Sequence, residues 1–151
     1  MVSKKPVPSI LVAVYLFLLR DGQVLMLRRH NTGYEDGNYS VIGGHVERDE
    51  RITQALVREA LEEAGVELHE GDFRFIHVMQ RTNPDGLIYI DFCFSAEHWQ
   101  GEVQNREPSK CDDLSWFRLT DLPENTIPHV REVLMNHRVN RSGFSEYGWG
   151  S

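Results

Sequence analysis

Three glutamates within residues 44–66 have a spacing that could hold a metal ion. Glu59, Glu62 and Glu63 stand at positions i, i+3 and i+4 of the run Arg-Glu-Ala-Leu-Glu-Glu-Ala-Gly-Val. On a helix this spacing places the three carboxylates on one face, where like charges repel one another. Mg²⁺ and Mn²⁺ prefer oxygen ligands and offset such negative charge. The pattern therefore predicts a divalent metal site on a helix.

Apolar runs separated by Gly, Asn, Asp and Pro indicate the strands and helices that must position these glutamates. Asp21-Gly22 and residues 83–86 are turn sequences that join neighbouring strands. We predict strands at residues 10–19, 23–28, 40–42, 73–82, 87–96 and 114–119, and a second helix from Ile127 or Pro128 to about residue 139. The class is therefore α+β, with a mixed sheet covered by helices.

The helix that carries the glutamates is expected to begin near Arg51 or Ile52 and to end before Gly65. A glycine in this position commonly takes the left-handed backbone conformation that closes a helix. Six apolar side chains should dock the helix on the sheet: Ile52, Leu56, Val57, Ala60, Leu61 and Ala64. The glutamates lie beside this apolar stripe.

The two ends of the chain differ in composition from its middle. Residues 1–9 are polar and contain two prolines, which is typical of a loose lead-in. The tail at residues 140–151 contains Phe144, Tyr147 and Trp149, so we expect it to pack within the chain or across a dimer. Because there is no internal repeat and no linker, a single domain over residues 1–151 is expected.

Bulk composition excludes some functions. The formal net charge of -7 argues against nonspecific nucleic-acid binding, which needs a basic surface. A small phosphorylated substrate remains compatible, because a bound metal inverts the local field. The longest apolar run, residues 10–19, is too short to cross a bilayer. Cys93 and Cys111 lack metal-type spacing, so they are expected to be free thiols in a reducing cytoplasm.

A longer pattern surrounds the glutamates and resembles a known family. The pattern G-x5-E-x7-R-E-U-x-E-E-x-G-U, in which U is apolar, is filled without gaps by Gly44, Glu50, Arg58, Glu59, Ala60, Glu62, Glu63, Gly65 and Val66. It resembles the Nudix hydrolase family, of the MutT-like kind. The resemblance implies an α/β/α sandwich with a mixed, mostly antiparallel curved sheet. It also implies that Gly44, Glu50 and Gly65 have structural roles.

The resemblance also implies an activity. Nudix enzymes use Mg²⁺ or Mn²⁺ to cut the pyrophosphate of a nucleoside diphosphate linked to another group. Carried over by position, Glu59 and Glu63 should bind the metal directly, and Glu62 should bind it directly or through water. A carbonyl of Gly43 or Gly44 is a further expected ligand. Arg58 is expected to orient a neighbouring carboxylate, such as that of Glu50 or Glu62.

The general base has several candidates. Relatives use either a glutamate of the helix or a carboxylate from a later loop. The spacing around Glu107 resembles that of MutT-type enzymes, so Glu107 is the candidate metal ligand or base, and Glu102 and Asp112 are its rivals. A base must lie within hydrogen-bond reach of the attacking water, and this distance decides between them.

Five further residues are candidates for substrate binding. Arg28 and Arg29 end a strand, where they either clamp a phosphate or face solvent, and Arg29 resembles a phosphate-contacting arginine of MutT-type relatives. His45 follows the double glycine. Asp91 interrupts an apolar strand, so it either contacts a base or an arginine in the cleft or marks a sheet edge. His129 falls where relatives often contact the base.

Three functions remain open at this point. The first is hydrolysis of a nucleoside triphosphate, normal or oxidised, to the monophosphate and pyrophosphate. The second is hydrolysis of ADP-ribose, a nucleotide sugar or a dinucleoside polyphosphate. The third is a non-catalytic nucleotide-binding module, which usually lacks some of the glutamates that are present here. The expected partners are Mg²⁺ or Mn²⁺ and a small nucleotide, with no nucleic acid polymer and no membrane, and a homodimer is left open.

Overall fold

A computed structural model describes residues 5–141 and 143–150. The strands are β1 (Ile10–Arg20), β2 (Gln23–Arg29), β3 (Tyr39–Ser40), β4 (Ile42–His45), β5 (Arg74–Thr82), β6 (Ile88–Ala96), β7 (Cys111–Arg118) and β8 (Gly143–Tyr147). The helices are α1 (Ile52–Ala64) and α2 (Pro128–Arg138), and a 3₁₀ turn spans Glu70–Asp72. In this described part of the chain, no helix is long and apolar enough to cross a membrane. Residues 1–4 of the expected lead-in, together with Ser142 and Ser151 of the tail, lie outside it.

Within residues 5–141 and 143–150, eight strands form one mixed sheet. The main order is β3-β2-β1-β6-β5-β8, and in addition β4 pairs with β1 and β7 pairs with β2. The β1–β6 and β5–β8 pairs are parallel, and the other pairs are antiparallel. The predicted α+β class with a mixed, mostly antiparallel sheet is confirmed.

Helix α1 follows β4 and covers one face of the sheet. It begins after Arg51, whose backbone N–H donates to the side-chain oxygen of Gln54 at 2.8 Å, and it ends at Gly65 with a φ of 69°. Ala55, Leu56, Ala60 and Ala64 are its buried apolar residues. The predicted stripe was wrong at Leu61, which is 44% exposed. Leu61 lies five positions after Leu56 and so turns away from the face on which i and i+4 residues align.

Two apolar clusters lie on opposite faces of the sheet. One packs under α1 and includes Val14, Leu16 and Leu56. The other packs under α2 and includes Phe17 and Met79. Successive residues of β1 contribute to different clusters because side chains alternate between the two faces of a strand.

The tail packs in cis as strand β8. It runs parallel to β5, with Val78 paired to Phe144 and His77 paired to Gly143. The buried His77 ring bonds to the hydroxyl of Ser145 at 2.7 Å and accepts the Gly143 N–H at 3.2 Å. Residues 143–147 therefore continue the sheet beyond β5.

Candidate active site

The contact between β4 and α1 depends on two glycines. A Cβ on Gly44 would lie 2.3 Å from the Glu59 Oε1, and a Cβ on Gly43 would lie 2.6 Å from the carbonyl oxygen of Val14. Both separations are shorter than real Cβ contacts, so no larger residue fits without movement. The Gly43 N–H donates to the Glu63 Oε1 at 3.4 Å. The double glycine therefore lets the strand lie directly against the carboxylates of α1.

Arg58 links the carboxylates of this region to one another. Its Nε and Nη2 donate to the two oxygens of Glu50 at 2.8 and 3.0 Å. Its Nη1 lies 2.7 Å from the Glu59 Oε1 and 3.4 Å from the Glu62 Oε2. A fifth contact runs from Nη2 to the carbonyl oxygen of His45 at 3.0 Å. Hydrogen bonds from Arg58 lower the pKa of Glu50 and thereby keep it ionised.

Glu63 is the most strongly perturbed carboxyl in this group. Its burial, followed by the hydrogen bond and charge of Glu59, raises the pKa of Glu63 well above its usual range. The Gly43 N–H opposes this shift, and the charge of Glu107 adds to it. Three carboxyl groups from α1 and a later loop are therefore close enough to influence one another.

This donor set fits a divalent cation. All of its side-chain donors are oxygen atoms, which hard cations prefer. A cation would offset both the burial of the Glu63 carboxylate and its repulsion by Glu59 and Glu107, which together raise the pKa of Glu63. Among residues 5–141 and 143–150, no three acidic, histidine or cysteine side chains already form a metal-ligating group. Arg58 instead holds Glu59 and Glu62 by hydrogen bonds. Binding an ion would therefore require these carboxylates to reorient.

The loop before β7 presents Glu107 to the same region. The Glu107 N–H donates to the side-chain oxygen of Asn105 at 3.1 Å, and the Glu107 carbonyl accepts the N–H groups of Lys110 and Cys111 at 2.9 Å. The two rival base candidates lie elsewhere. Glu102 and Asp112 line a separate depression beside Trp99 and Trp116. Of the three, only Glu107 lines the cleft that contains the α1 carboxylates.

That cleft has a volume of about 780 Å³ and contains both the carboxylates and an aromatic region. Its lining includes Tyr15 on β1, Arg81 on β5 and Tyr89 on β6, together with Tyr34 from the loop after β2. Arg29 holds this loop, since its Nε donates to the Tyr34 carbonyl at 2.6 Å and its Nη2 donates to the Thr32 hydroxyl at 3.0 Å.

The structure separates the five predicted substrate-binding residues into two groups. Arg29 and His45 line the cleft, but Arg28, Asp91 and His129 do not. Arg28 forms an ion pair with Asp112 at 2.7 Å. Of the two alternatives for Arg28, this position agrees with the solvent-facing one, because the pleat turns successive residues of β2 to opposite sides.

Asp91 and His129 are buried beneath the surface of the cleft. Asp91 is 1% exposed and forms an ion pair with Arg81 at 2.7 Å. His129 is 5% exposed, and its Nε2 lies 3.3 Å from the Tyr15 hydroxyl. Burial, with a smaller effect of Arg81 and Arg29, lowers the pKa of His129 to about 3. Asp91 thus contacts an arginine of the cleft, which is one of the alternatives left open by the sequence, whereas His129 lies behind Tyr15 and does not line the cleft.

Sequence reasoning missed Arg81, Tyr34 and Tyr89 as cleft residues. A usable signal was present for Arg81, because a charged residue stands on each side of the turn at residues 83–86. In the observed hairpin, Arg81 pairs with Tyr89 and Met79 pairs with Asp91, so Arg81 and Asp91 share one face. Tyr34 lies in an irregular loop, where no periodicity predicts the direction of a side chain.

Comparisons with known proteins agree with this geometry. Residues 10–137 match the profile of the NUDIX domain. The NAD-capped RNA hydrolase NudC of Pectobacterium carotovorum subsp. carotovorum (strain PC1) is 32% identical over 121 residues, which cover 80% of this chain and 42% of that protein. NudC of Escherichia coli (strain SMS-3-5 / SECEC) is 28% identical over 116 residues, which cover 77% of this chain and 42% of that protein. The chain thus spans less than half the length of these relatives.

Superposition on solved structures of similar fold includes nearly the whole of those chains. The crystal structure of a MutT NUDIX hydrolase from Burkholderia pseudomallei superposes with a TM-score of 0.79 at 27% identity, covering 85% of this chain and 98% of the other. The solution structure of the E. coli ORF135 protein gives a TM-score of 0.68 at 28% identity, covering 87% and 93%.

One sequence-based expectation is overturned by these comparisons. We expected no nucleic acid polymer as a partner, whereas similar proteins are named as hydrolases of NAD-capped RNA. The net charge of -7 bears on nonspecific binding along a polyanion. It does not exclude recognition of one end of such a chain inside a cleft, and for this reason the exclusion was wrong.

The expectation of a MutT-like enzyme is confirmed by the profile match, by the hydrolase names of the relatives and by the solved structures. Hydrolases of this kind generally use divalent cations, which agrees with the oxygen donors on α1. On this basis, the chain belongs to the Nudix hydrolase family.

Proposed function

We propose that this chain hydrolyses a pyrophosphate bond in a nucleoside diphosphate derivative, with Mg²⁺ or Mn²⁺ bound by Glu59 and Glu63. The observation that carries the proposal is the convergence of the Glu59, Glu63 and Glu107 carboxyl groups in one cleft, where burial and then the neighbouring Glu59 and Glu107 raise the pKa of Glu63. Such a cluster has no structural benefit by itself, since like charges destabilise a buried site. Glu62 and a carbonyl of Gly43 or Gly44 complete the proposed ligand set.

The protein's own groups account for the remaining requirements of the reaction. A divalent ion, when bound, neutralises phosphate oxygens and favours ionisation of water. Glu107, on the loop that faces α1, accepts the proton of the attacking water. Arg29 and Lys110 line the same cleft and attract the phosphates. Arg58 holds Glu50 and Glu59 in place and thus acts as a positioning residue.

A nucleoside triphosphate is the first substrate that we propose, with the monophosphate and pyrophosphate as products. The MutT-like fold and the volume of about 780 Å³ support it, because this volume accepts one nucleotide. A second candidate is the pyrophosphate of NAD, free or at an RNA end, which is supported by the names of relatives with up to 32% identity. We also propose a cytoplasmic location, in keeping with the free thiols of Cys93 and Cys111.

One experiment separates these substrates. The protein is incubated with Mg²⁺ or Mn²⁺ and with nucleoside triphosphates, NAD, NAD-capped RNA, ADP-ribose, nucleotide sugars and diadenosine polyphosphates, and the products are identified by mass. We expect cleavage within a pyrophosphate that ceases when the metal is chelated. If the folded protein, with its thermal transition intact, cleaves none of these compounds with either metal, the proposed activity is rejected.

A further inference from the structure

Arg81 lies at the other end of the cleft from the α1 carboxylates. It is on β5, whereas Gly43 and Gly44, which contact the carboxylates, are on β4. The strands between them run in the order β4-β1-β6-β5, so three strand spacings of about 4.8 Å separate the two ends by about 14 Å. A nucleotide bound with its phosphates at the carboxylates would extend its base towards Arg81.

The guanidinium of Arg81 has donors that its neighbours do not use. Its Nε and Nη2 donate to the Asp91 carboxylate at 2.7 and 3.2 Å, and its Nη1 donates to the Asn83 Oδ1 at 2.6 Å. An arginine side chain carries five N–H donors, two of them on each Nη. Each Nη of Arg81 therefore keeps one N–H without a partner among residues 5–141 and 143–150. The residue is only 3% exposed, yet it lines the cleft.

The charge of this guanidinium is already balanced. Asp91 is 1% exposed and binds Arg81 with both oxygens, so the pair is neutral as a unit. A buried neutral pair attracts a phosphate less than an unpaired cation does, but its free N–H groups still require acceptors. Uncharged acceptor atoms of a ligand meet that requirement.

Aromatic rings surround the same position. The guanidinium carbon of Arg81 lies 4.3 Å from the centroid of the Tyr89 ring. Tyr34 is 38% exposed and forms part of the cleft wall, with Arg29 at 5.4 Å from its ring. Aromatic faces favour a planar ring as ligand, and tyrosine retains a polar group for its edge.

We propose that Arg81 selects the base of the substrate by donating its two free N–H groups to a pair of adjacent acceptors. Guanine offers such a pair in O6 and N7, and cytosine offers one in O2 and N3. Adenine and uracil place a donor beside each acceptor on these edges, so only one of the two bonds can form. The orientation of the nucleotide in this inference rests on the proposed function, but the base preference itself does not require turnover.

The test measures binding, so that it is independent of hydrolysis. GMP, CMP, AMP and UMP are titrated into the protein by calorimetry, with and without Mg²⁺. We expect GMP or CMP, or both, to bind at least about fivefold more tightly than AMP and UMP, because a two-bond contact discriminates by roughly 1–3 kcal/mol. Comparing GMP with CMP shows which base is the preferred one.

Two variants connect a measured preference to these residues. Arg81→Lys keeps a positive charge next to Asp91 but loses the two N–H groups proposed to contact the base. The base preference should therefore disappear while the thermal transition persists. Tyr34→Ala should weaken the binding of all four nucleotides to a similar extent. Phe144→Ala, which removes a ring that is 65% exposed on β8, serves as its matched control.

Equal binding of the four monophosphates, absence of binding in both metal conditions, or an unchanged preference in a folded Arg81→Lys protein would each overturn this assignment. A protein that shows the base preference but hydrolyses nothing would support the role of Arg81 and reject the proposed function. The two hypotheses are thus distinguishable.

Discussion

Glu63 illustrates how a single side chain can be unfavourable for the fold and still be useful to the site. Burial and the neighbouring Glu59 raise its pKa, so its ionised form destabilises the metal-free protein. Because the folded-state pKa lies above the unfolded value, this penalty grows as pH rises above the usual range of a glutamate. A divalent cation bound by Glu63, as proposed above, would remove the penalty by supplying positive charge. At the residue scale, the perturbed carboxyl therefore supports the proposal of a positively charged ligand.

We predict that Glu63→Gln loses metal-dependent hydrolysis by at least about a hundredfold, since even the outer-shell partners of a metal are worth 10–100-fold. The metal-free variant should melt no lower than wild type, because the substitution removes a buried carboxyl at nearly constant volume. Thermal denaturation with and without Mn²⁺ provides the second measurement, and the ion should raise the melting temperature of wild type only. Comparable turnover by both proteins at matched metal concentration would rule out Glu63 as a ligand.

At the element scale, the site depends on how closely β4 approaches α1. The sequence pattern predicted the helix, the glycine before it (Gly44) and the glycine that ends it (Gly65), because all three belong to one local motif. The contact of Gly44 with Glu59 involves residues that are distant in sequence, and it became visible only in the structure. The same holds for Arg28 with Asp112 and for Arg81 with Asp91, which are both cross-strand pairs. Local patterns thus predicted the elements, whereas partner choice across strands required the sheet register.

We predict that Gly44→Ala abolishes most of the activity while the fold is retained. The new Cβ would lie 2.3 Å from the Glu59 Oε1, and the carboxylate must therefore move away from the proposed metal position. Gly71→Ala is the matched control, because a Cβ there meets nothing within 4 Å. Turnover rates and Mn²⁺ titrations of both variants provide the measurement, and equal loss in both would contradict a specific role of Gly44.

At the scale of the whole molecule, the sheet has to be assembled from pairs that are far apart in the chain. The antiparallel β5–β6 hairpin was predictable from the Asn-Pro-Asp-Gly turn at residues 83–86. The parallel pairing of β1 with β6 was not, because 67 residues lie between Arg20 and Ile88 and no local signal selects the partner. This pairing places Ala13 of β1 beside Asp91, and the β1–β4 pairing places it beside His45, so that the three strands form a continuous surface under the cleft.

A pH dependence of global stability follows from His129 beneath this surface. Its pKa of about 3 lies below the unfolded value of about 6.5, so the unfolded chain takes up the proton first and stability falls as pH decreases below about 6.5. Between pH 7.5 and 5.5 we expect this residue to cost about 1.4 kcal/mol of unfolding free energy.

Urea unfolding of wild type and His129→Gln at the two pH values isolates this contribution from that of other groups. The His129→Gln variant should lack this fall in unfolding free energy between pH 7.5 and 5.5. The His98→Gln variant, changed at an exposed position, should retain it. Identical pH dependence of wild type and His129→Gln would show that His129 is not responsible.

The hydrogen bonds of Arg58 have a consequence for how a cation would bind. Its Nε and Nη2 donate hydrogen bonds to Glu50, and its Nη1 donates to Glu59 and Glu62. If Glu59 and Glu62 were to hold a cation, Arg58 would give up its Nη1 contacts while Nε and Nη2 kept their hydrogen bonds to Glu50. Cation binding would then exchange one positive charge for another at Glu59 and Glu62, so that these two carboxylates would keep a positive partner throughout.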